Sequence, residues 1–594
     1  MPVIATAGHV DHGKSTLVRA LTGRDPDRWE EEQRRGLTID LGFAWTDLEG
    51  REVGFVDVPG HERFIKNMLA GVDGVDAALF VVAADEGWMP QSEEHLAVLD
   101  LIGVRRAVVA LTRVDLVSGD EAELAALEVA DRLEGTALAG AEIVPVAAPQ
   151  GIGLGQLRHS LAALLGPAED RDRPRLWVDR SFIIGGAGTV VTGTLVGGTL
   201  ALGDTLEVLP GGIPVRVRGL QTHERVVQSI GPGNRAAVNL SGIDRSAVDR
   251  GAMLGRPGEW RTTTRLLADL RAVRSLGDPI TDRGSFHAHI GSGSHPARIT
   301  LVEGDTLTAS GAALITFEFP VVAAAGDHII LREVGRRSVV AGGVILDPHP
   351  APRRRDAAVS VAVLRQAADP DARATALLAV REIAPRPEIA ADSGGGEIAA
   401  ALVAGDILVS PAAAIRIEQA ALELVRTHHR DNPLRPGMPL PALATALRVA
   451  PLVLEEVVAL SPALVVEGPT VRDAGFVPRL EGTGQEAWEE ARTALVTAGF
   501  AAPRRRELGL QEEVVHALIR AGMLVSVGDD LVYLPETLDA IVTTAAGLGA
   551  GFSVGDFRDA LGITRKHAVP LLEWMDAGGM TRRTGDVRSF RDRG

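Results

Sequence analysis

The sequence predicts a multidomain protein: an α/β phosphate-loop domain, two β-barrel domains, and a mostly α-helical tail of four winged-helix modules. Three observations predict it. Short β-branched runs alternate with amphipathic stretches up to residue 165, Gly-punctuated strands fill 176–348, and a helix–break–hairpin unit recurs four times after residue 357.

In the first region "VIATAG" (3–8), "EVGFVDV" (52–58), "AALFVVAA" (77–84), "AVVALTRVD" (107–115) and "EIVPVAA" (142–148) read as strands. Helical patterns lie between them at 14–22, 61–70, 91–102 and 120–134, the rhythm of a mostly parallel sheet with covering helices. "GPAEDRDRPR" (166–175) and "DPHPAPRRRD" (347–356) read as linkers on either side of the two barrels. In the tail, small-residue breaks near 404, 461, 521 and 577 lie 56 to 60 residues apart. Helices closed by a two-stranded wing are the elements of a winged helix. The expected domains are therefore 1–170, 175–260 and 261–350, followed by winged helices at 357–425, 426–480, 481–539 and 540–594.

Composition narrows the chemistry. There is no cysteine, so disulfides, thiolate catalysis and Cys-ligated zinc are excluded, and a reducing cytoplasmic setting is expected. The longest apolar runs suit buried strands and fall short of a membrane span, so no membrane association is expected. With the first motif beginning at Gly8, no room is expected for a secretory signal. A net charge of −17 argues against indiscriminate coating of nucleic acid and confines any RNA site to a local basic patch. Of 61 basic residues only Lys14, Lys66 and Lys566 are lysines, so a lysine here marks a position that arginine does not fill.

Lys14 lies in "GHVDHGKST" (8–16), which follows a predicted strand and opens a predicted helix. Gly8-x4-Gly13-Lys14-Ser15 has the spacing of a phosphate loop. Its backbone N–H groups would wrap the phosphates, Lys14 would reach the β- and γ-phosphates, and Ser15 would ligate Mg²⁺. "DVPGHE" (57–62) supplies Asp57 for the metal and Gly60 for a γ-phosphate contact. Thr38 in "RGLTID" (35–40) is placed to complete the Mg²⁺ shell. Asp115 in "TRVD" (112–115) can accept two hydrogen bonds from the guanine N1 and N2 edge, which adenine cannot offer, so the expected ligands are GTP and GDP.

These motifs resemble those of the EF-Tu group of translational GTPases. "GLTIDLGF" (36–43), "VDRSF…GTVVTGT" (178–194) and "HRDNPLRPGM" (429–438), with the tail, narrow the resemblance to the SelB family of selenocysteine-specific elongation factors over essentially the full length. The resemblance implies a P-loop GTPase domain. Gly8, Asp11, His12, Gly13, Lys14, Ser15, Thr16, Asp57 and Gly60 match its phosphate residues. Thr112, Arg113, Asp115, Ala147 and Ala148 match its base-contacting segments, and Ser15, Thr38 and Asp57 its metal residues. His61 matches the histidine that positions the attacking water under ribosomal stimulation, with Val10 and Leu37 the apolar gate beside it. Arg113 stands where the family has lysine, Thr112 where it has asparagine, and Ala147-Ala148 where it has Ser-Ala. An arginine can stack its guanidinium on the base as a lysine stem does.

The resemblance further implies that Arg180 and Arg235 line a selenocysteine pocket with Asp40 nearby. A selenol is ionised at neutral pH, and a desolvated cationic pocket would prefer it to the neutral serine of the precursor tRNA. At the C-terminus, residues 564–594 carry seven basic and four acidic groups, in contrast to the chain as a whole. Arg565 and Lys566 fall on a predicted helix and Arg582, Arg583 and Arg588 on a predicted wing, expected to contact RNA phosphates and a loop or bulged base. The implied partners are selenocysteinyl-tRNA, the mRNA selenocysteine-insertion hairpin and the ribosome, with GTP hydrolysis releasing the tRNA at UGA codons. The chain is expected to be monomeric. Another EF-Tu-like translation factor, or the GTPase subunit of a sulfate-activating enzyme, would share the first three domains without such a tail.

Overall fold

Strand β1 (Val3–Gly8) is buried along its whole length at the centre of a six-stranded sheet. The other strands are β2 (Gly42–Leu48), β3 (Arg51–Asp57), β4 (Ala77–Ala83), β5 (Ala107–Thr112) and β6 (Glu142–Pro145), in the order β2-β3-β1-β4-β5-β6. All neighbours are parallel except β2 and β3, which form an antiparallel edge. Helices α1 (Lys14–Thr22), α2 (Pro90–Leu101), α3 (Gly119–Leu133) and α4 (Leu154–Leu164) cover it. This computed structural model describes residues 2–591 apart from 27–41, 58–76 and the single residues 167, 187, 478, 481 and 550. The helix expected at 61–70 lies outside the described residues. Strand β2 and helix α4 were not among the predicted elements. "TRVD" leaves the strand after Thr112, because Arg113 turns into the left-handed region at φ 57° and a 3-10 turn follows.

Both barrels are present. In the first, the strands Thr205–Leu209, Met253–Gly255, Arg175–Trp177, Gly188–Val196, Arg235–Ser241 and Ile213–Thr222 pair in that order, and the last pairs with the first to close the circuit. The second is a closed barrel of six strands from Thr262–Ala272 to Ser338–Asp347. The stretch expected as a linker at 166–175 is instead bound to the barrels. Arg171 and Arg173 donate their backbone N–H groups to the Gly197 carbonyl, and the Arg175 guanidinium makes two bonds to Asp327, at 2.6 and 2.7 Å. A run of arginines and aspartates reads as solvated, but Arg173 lies over the Trp260 ring and Arg175 over those of Trp177 and Trp260. Asp347 of the second expected linker is likewise buried and accepts from Arg381 at 2.7 Å.

Two compact units make up the chain, residues 1–401 with 406–410, and residues 402–405 with 411–594. Winged-helix elements recur through the tail. Hairpin strands lie at Leu464–Glu467 and Thr470–Asp473, at Val525–Val527 and Leu531–Tyr533, and at Thr581–Thr584 and Val587–Phe590. Each pair follows one of the predicted breaks, those near 461, 521 and 577. The junctions expected at 356/357, 425/426 and 539/540 fall inside the helices Arg354–Arg365, Pro411–Asp431 and Pro535–Ala546. The last two begin at a proline two residues after a strand ends, where proline's fixed φ and missing N–H suit a first helical turn. In the second unit a single apolar core runs from Trp488 through Tyr533 to Met575, so the last two modules share it. No helix among the described residues is long and apolar enough to cross a membrane.

Candidate guanine-nucleotide site and a cavity of the same unit

The phosphate loop leaves the end of β1 at Gly8, whose φ is +128°; a Cβ there would meet the Val81 carbonyl oxygen at 2.1 Å. Only glycine permits that approach. At the other end Gly13, also at positive φ, leads into α1, and the Leu17 N–H returns to its carbonyl at 2.8 Å. Lys14 is 6% exposed and curls back over the loop, donating to the Gly8 carbonyl at 2.9 Å and the His9 carbonyl at 2.6 Å. An ammonium held in that way at the positive end of a helix marks the position for the phosphate charges.

Asp57, fully buried at the end of β3, accepts from Ser15 Oγ at 2.6 Å and from Thr6 Oγ1 at 2.7 Å. A hydroxyl and a carboxylate brought together beside a phosphate loop form a hard oxygen set. Such a set suits Mg²⁺, which takes few protein ligands and completes its octahedron with water and phosphate oxygens. Thr6 was not foreseen; a threonine within an otherwise apolar buried strand was the available signal. Thr16 is exposed on α1, while the His12 ring is buried behind the loop, with burial pushing its pKa down to about 4. The buried His12 ring is therefore uncharged at neutral pH.

Arg113 ties the base-side segment to the loop. Its guanidinium donates to the Asp11 carbonyl and reaches Glu86 at 2.7 Å and Asp85 at 3.1 Å. Thr112, expected among the nucleotide contacts, is turned inward instead. Its hydroxyl donates to the His12 carbonyl at 2.8 Å, so it braces the loop from behind. Asp115 is exposed, and its Oδ2 accepts from Gln150 Nε2 at 2.8 Å. Ala147 is buried and exchanges backbone hydrogen bonds with Ile152, which fixes the loop carrying Ala148 and Gln150 beside Asp115. Val10 is half-buried at the loop's first turn. Leu37, Thr38, Asp40, Gly60, His61 and Lys66 lie outside the described residues.

Arg180 and Arg235 come together at a cavity of about 290 Å³ lined also by Phe43, Trp45, Phe182 and Thr192. The Arg235 guanidinium lies 3.4 Å above the Phe43 ring centre and Arg180 5.3 Å from it. Asp179, missed in the sequence, is buried and takes both Arg235 terminal nitrogens, at 2.6 and 2.8 Å, as well as the Thr192 hydroxyl at 2.7 Å. One carboxylate thus holds Arg235 in place, and Arg180 and Glu224 add a charge of each sign to the lining.

In the last module, Arg565 and Lys566 are exposed on the first turn of the helix Arg565–Ala577, with no acidic residue in that turn. Two cations at the positive end of a helix oppose its dipole, a small cost that an anionic partner would offset. Arg582 and Arg583 are exposed on the wing. Arg588 is not on that surface: it is 5% exposed and bonds Asp576 at 2.8 Å, beside the Thr581 hydroxyl on the same carboxylate. Strand alternation turns it into the module, where its role is internal.

Comparison with known proteins agrees with this arrangement. The Elongation factor Tu GTP binding domain family matches residues 1–167, the Selenocysteine-specific elongation factor beta-barrel domain residues 264–352, and the Elongation factor SelB winged helix residues 545–590. A selenocysteine-specific elongation factor of Desulfomicrobium baculatum is 34% identical, with all of both chains covered. The crystal structure of a bacterial selenocysteine-specific elongation factor, EF-Sec, superposes with a TM-score of 0.70 at 25% identity over the whole of both chains. The elongation factor SelB of Methanococcus maripaludis, solved with the GTP analogue GppNHp, gives a TM-score of 0.52 at 25% identity over 59% of this chain and 79% of its own. With that full-length identity, the chain belongs to the family of selenocysteine-specific elongation factors.

Proposed function

We propose that the protein binds GTP and selenocysteinyl-tRNA and brings the tRNA to the ribosome at UGA codons. Its tail would bind the selenocysteine-insertion hairpin of the mRNA. Hydrolysis of GTP, stimulated by the ribosome, then releases the tRNA. The observation that carries the reading is the cavity in which the guanidiniums of Arg180 and Arg235 lie by the Phe43 ring, on the same unit as the phosphate loop. A selenolate placed there gains a charge-assisted interaction that a serine hydroxyl lacks.

Lys14 and the N–H groups of the loop hold the phosphates, Ser15 and Asp57 would hold Mg²⁺, and Asp115 reads the guanine edge. The metal, when bound, supplies positive charge against the phosphate oxygens. The GTP analogue bound to the archaeal relative supports GTP as the ligand. His61 is the group assigned to the attacking water, with Val10 and Leu37 gating it, and Asp40 is assigned to the cavity; these assignments rest on the motif match. Arg565, Lys566, Arg582 and Arg583 would contact the hairpin phosphates.

A reconstituted translation system tests the reading. An mRNA carrying an in-frame UGA followed by the hairpin should yield full-length, selenium-containing product only when this protein, GTP and selenocysteinyl-tRNA are all present. Termination at UGA with every component supplied would contradict it.

A further inference from the structure

Two polar side chains of α2 reach the phosphate loop. The Val10 N–H donates to Gln91 Oε1 at 2.9 Å, and the Gly8 N–H donates to His95 Nδ1 at 2.8 Å. Gln91 and His95 are four residues apart, one turn of the same helix, so a single rigid element holds both amides. His95 is 3% exposed. Because its Nδ1 accepts, the ring proton is on Nε2 and the imidazole is neutral. Burial also pushes its pKa down to about 3, which keeps it so.

Gly8 is the last residue of β1 and Val10 lies beyond it, and the N–H groups of both are taken by side chains of α2. The same short stretch gives its Gly8 and His9 carbonyls to Lys14. The Gly8 and Val10 amides and the Gly8 and His9 carbonyls are thus all engaged, so that the position of the Lys14 ammonium depends on the loop being held. At its far end α2 carries Asp100, which pairs with Arg271 of the second barrel at 3.2 Å.

We propose that Gln91 and His95 are positioning residues of the GTPase site, holding the first turn of the phosphate loop so that Lys14 and Val10 stand correctly for the nucleotide. The inference rests on the guanine-nucleotide reading above. It assigns work to two residues that lie outside the nucleotide-contacting motifs.

The test is the GDP dissociation rate of the intact chain, followed with a fluorescent GDP. Leaving a buried N–H without an acceptor corresponds to roughly a five- to hundredfold change. His95→Leu and Gln91→Met should therefore each release GDP about tenfold faster. His95→Asn, whose side-chain oxygen can take the place of Nδ1, should recover most of the loss; that recovery separates positioning from general packing. GDP release from His95→Leu and Gln91→Met at the wild-type rate would overturn the proposal, and so would release from His95→Asn as fast as from His95→Leu. Should His95→Leu fail to fold, Gln91→Met, at a half-buried position, decides by the same criterion. A wild-type chain that binds no GDP would overturn the guanine-nucleotide reading, and the inference with it.

Discussion

Lys14→Arg should weaken GTP and GDP binding by at least about a hundredfold, roughly 2.7 kcal/mol, although it keeps the charge. The Nζ atom sits between two carbonyls at 2.6 and 2.9 Å in a site that is 6% exposed. A guanidinium is planar and wider, and it presents its donors as a rigid fork, not as a compact tripod. Seating it would push out the Gly8–His9 peptide carbonyls, and Gly8 has no room to yield against the Val81 carbonyl. Lys14→Ala should lose at least as much. Titration with a fluorescent guanine nucleotide measures both; wild-type affinity in Lys14→Arg would show that charge alone suffices. In a chain with 61 basic residues and three lysines, this substitution asks directly why the lysine is there.

Arg588→Ala should destabilise the last winged-helix module by about 2 kcal/mol, the scale of leaving a hydrogen-bonded polar group without its partner. Asp576, about 25% exposed, would keep the Thr581 hydroxyl and lose its counter-charge, next in sequence to Met575 of the core shared with the preceding module. Arg582→Ala and Arg583→Ala, on the exposed wing, should change stability by less than about 0.5 kcal/mol and instead weaken binding of the mRNA hairpin. Urea unfolding of the full chain, read through its C-terminal transition, separates the two classes. An Arg588→Ala transition coincident with wild type would contradict the internal role.

The backbone of the fold was legible because buried parallel strands and amphipathic helices impose distinct periods on the sequence. Strand β2 was not, since a half-buried antiparallel edge leaves a weaker pattern than the continuous apolar run of β4. Motif spacing placed Lys14, Ser15 and Asp57 together, as the geometry has them. Composition misled at residues 166–175, where arginines that stack on tryptophan resemble a solvated linker. It also misled at Arg588, because charge alone does not tell which face of a two-residue period a side chain occupies. The supporting groups Thr6, Gln91, His95, Gln150 and Asp179 lie outside the phosphate, metal and base motifs. Their contacts span from 13 to 87 residues of sequence, so only the folded chain brings them to the site.

The cavity of Phe43, Arg180 and Arg235 carries the proposed function, in which cargo choice depends on it. Equilibrium binding of selenocysteinyl-tRNA and of the same tRNA charged with serine, each in the presence of GTP and of GDP, tests it most directly. The expected result is GTP-dependent binding that favours the selenocysteinyl form by about a hundredfold or more, roughly the worth of one desolvated charge-assisted contact, and that falls when Arg180 is replaced by methionine. Equal affinity for the two tRNAs, or a preference that survives Arg180→Met unchanged, would contradict the assignment of the cavity to a selenolate.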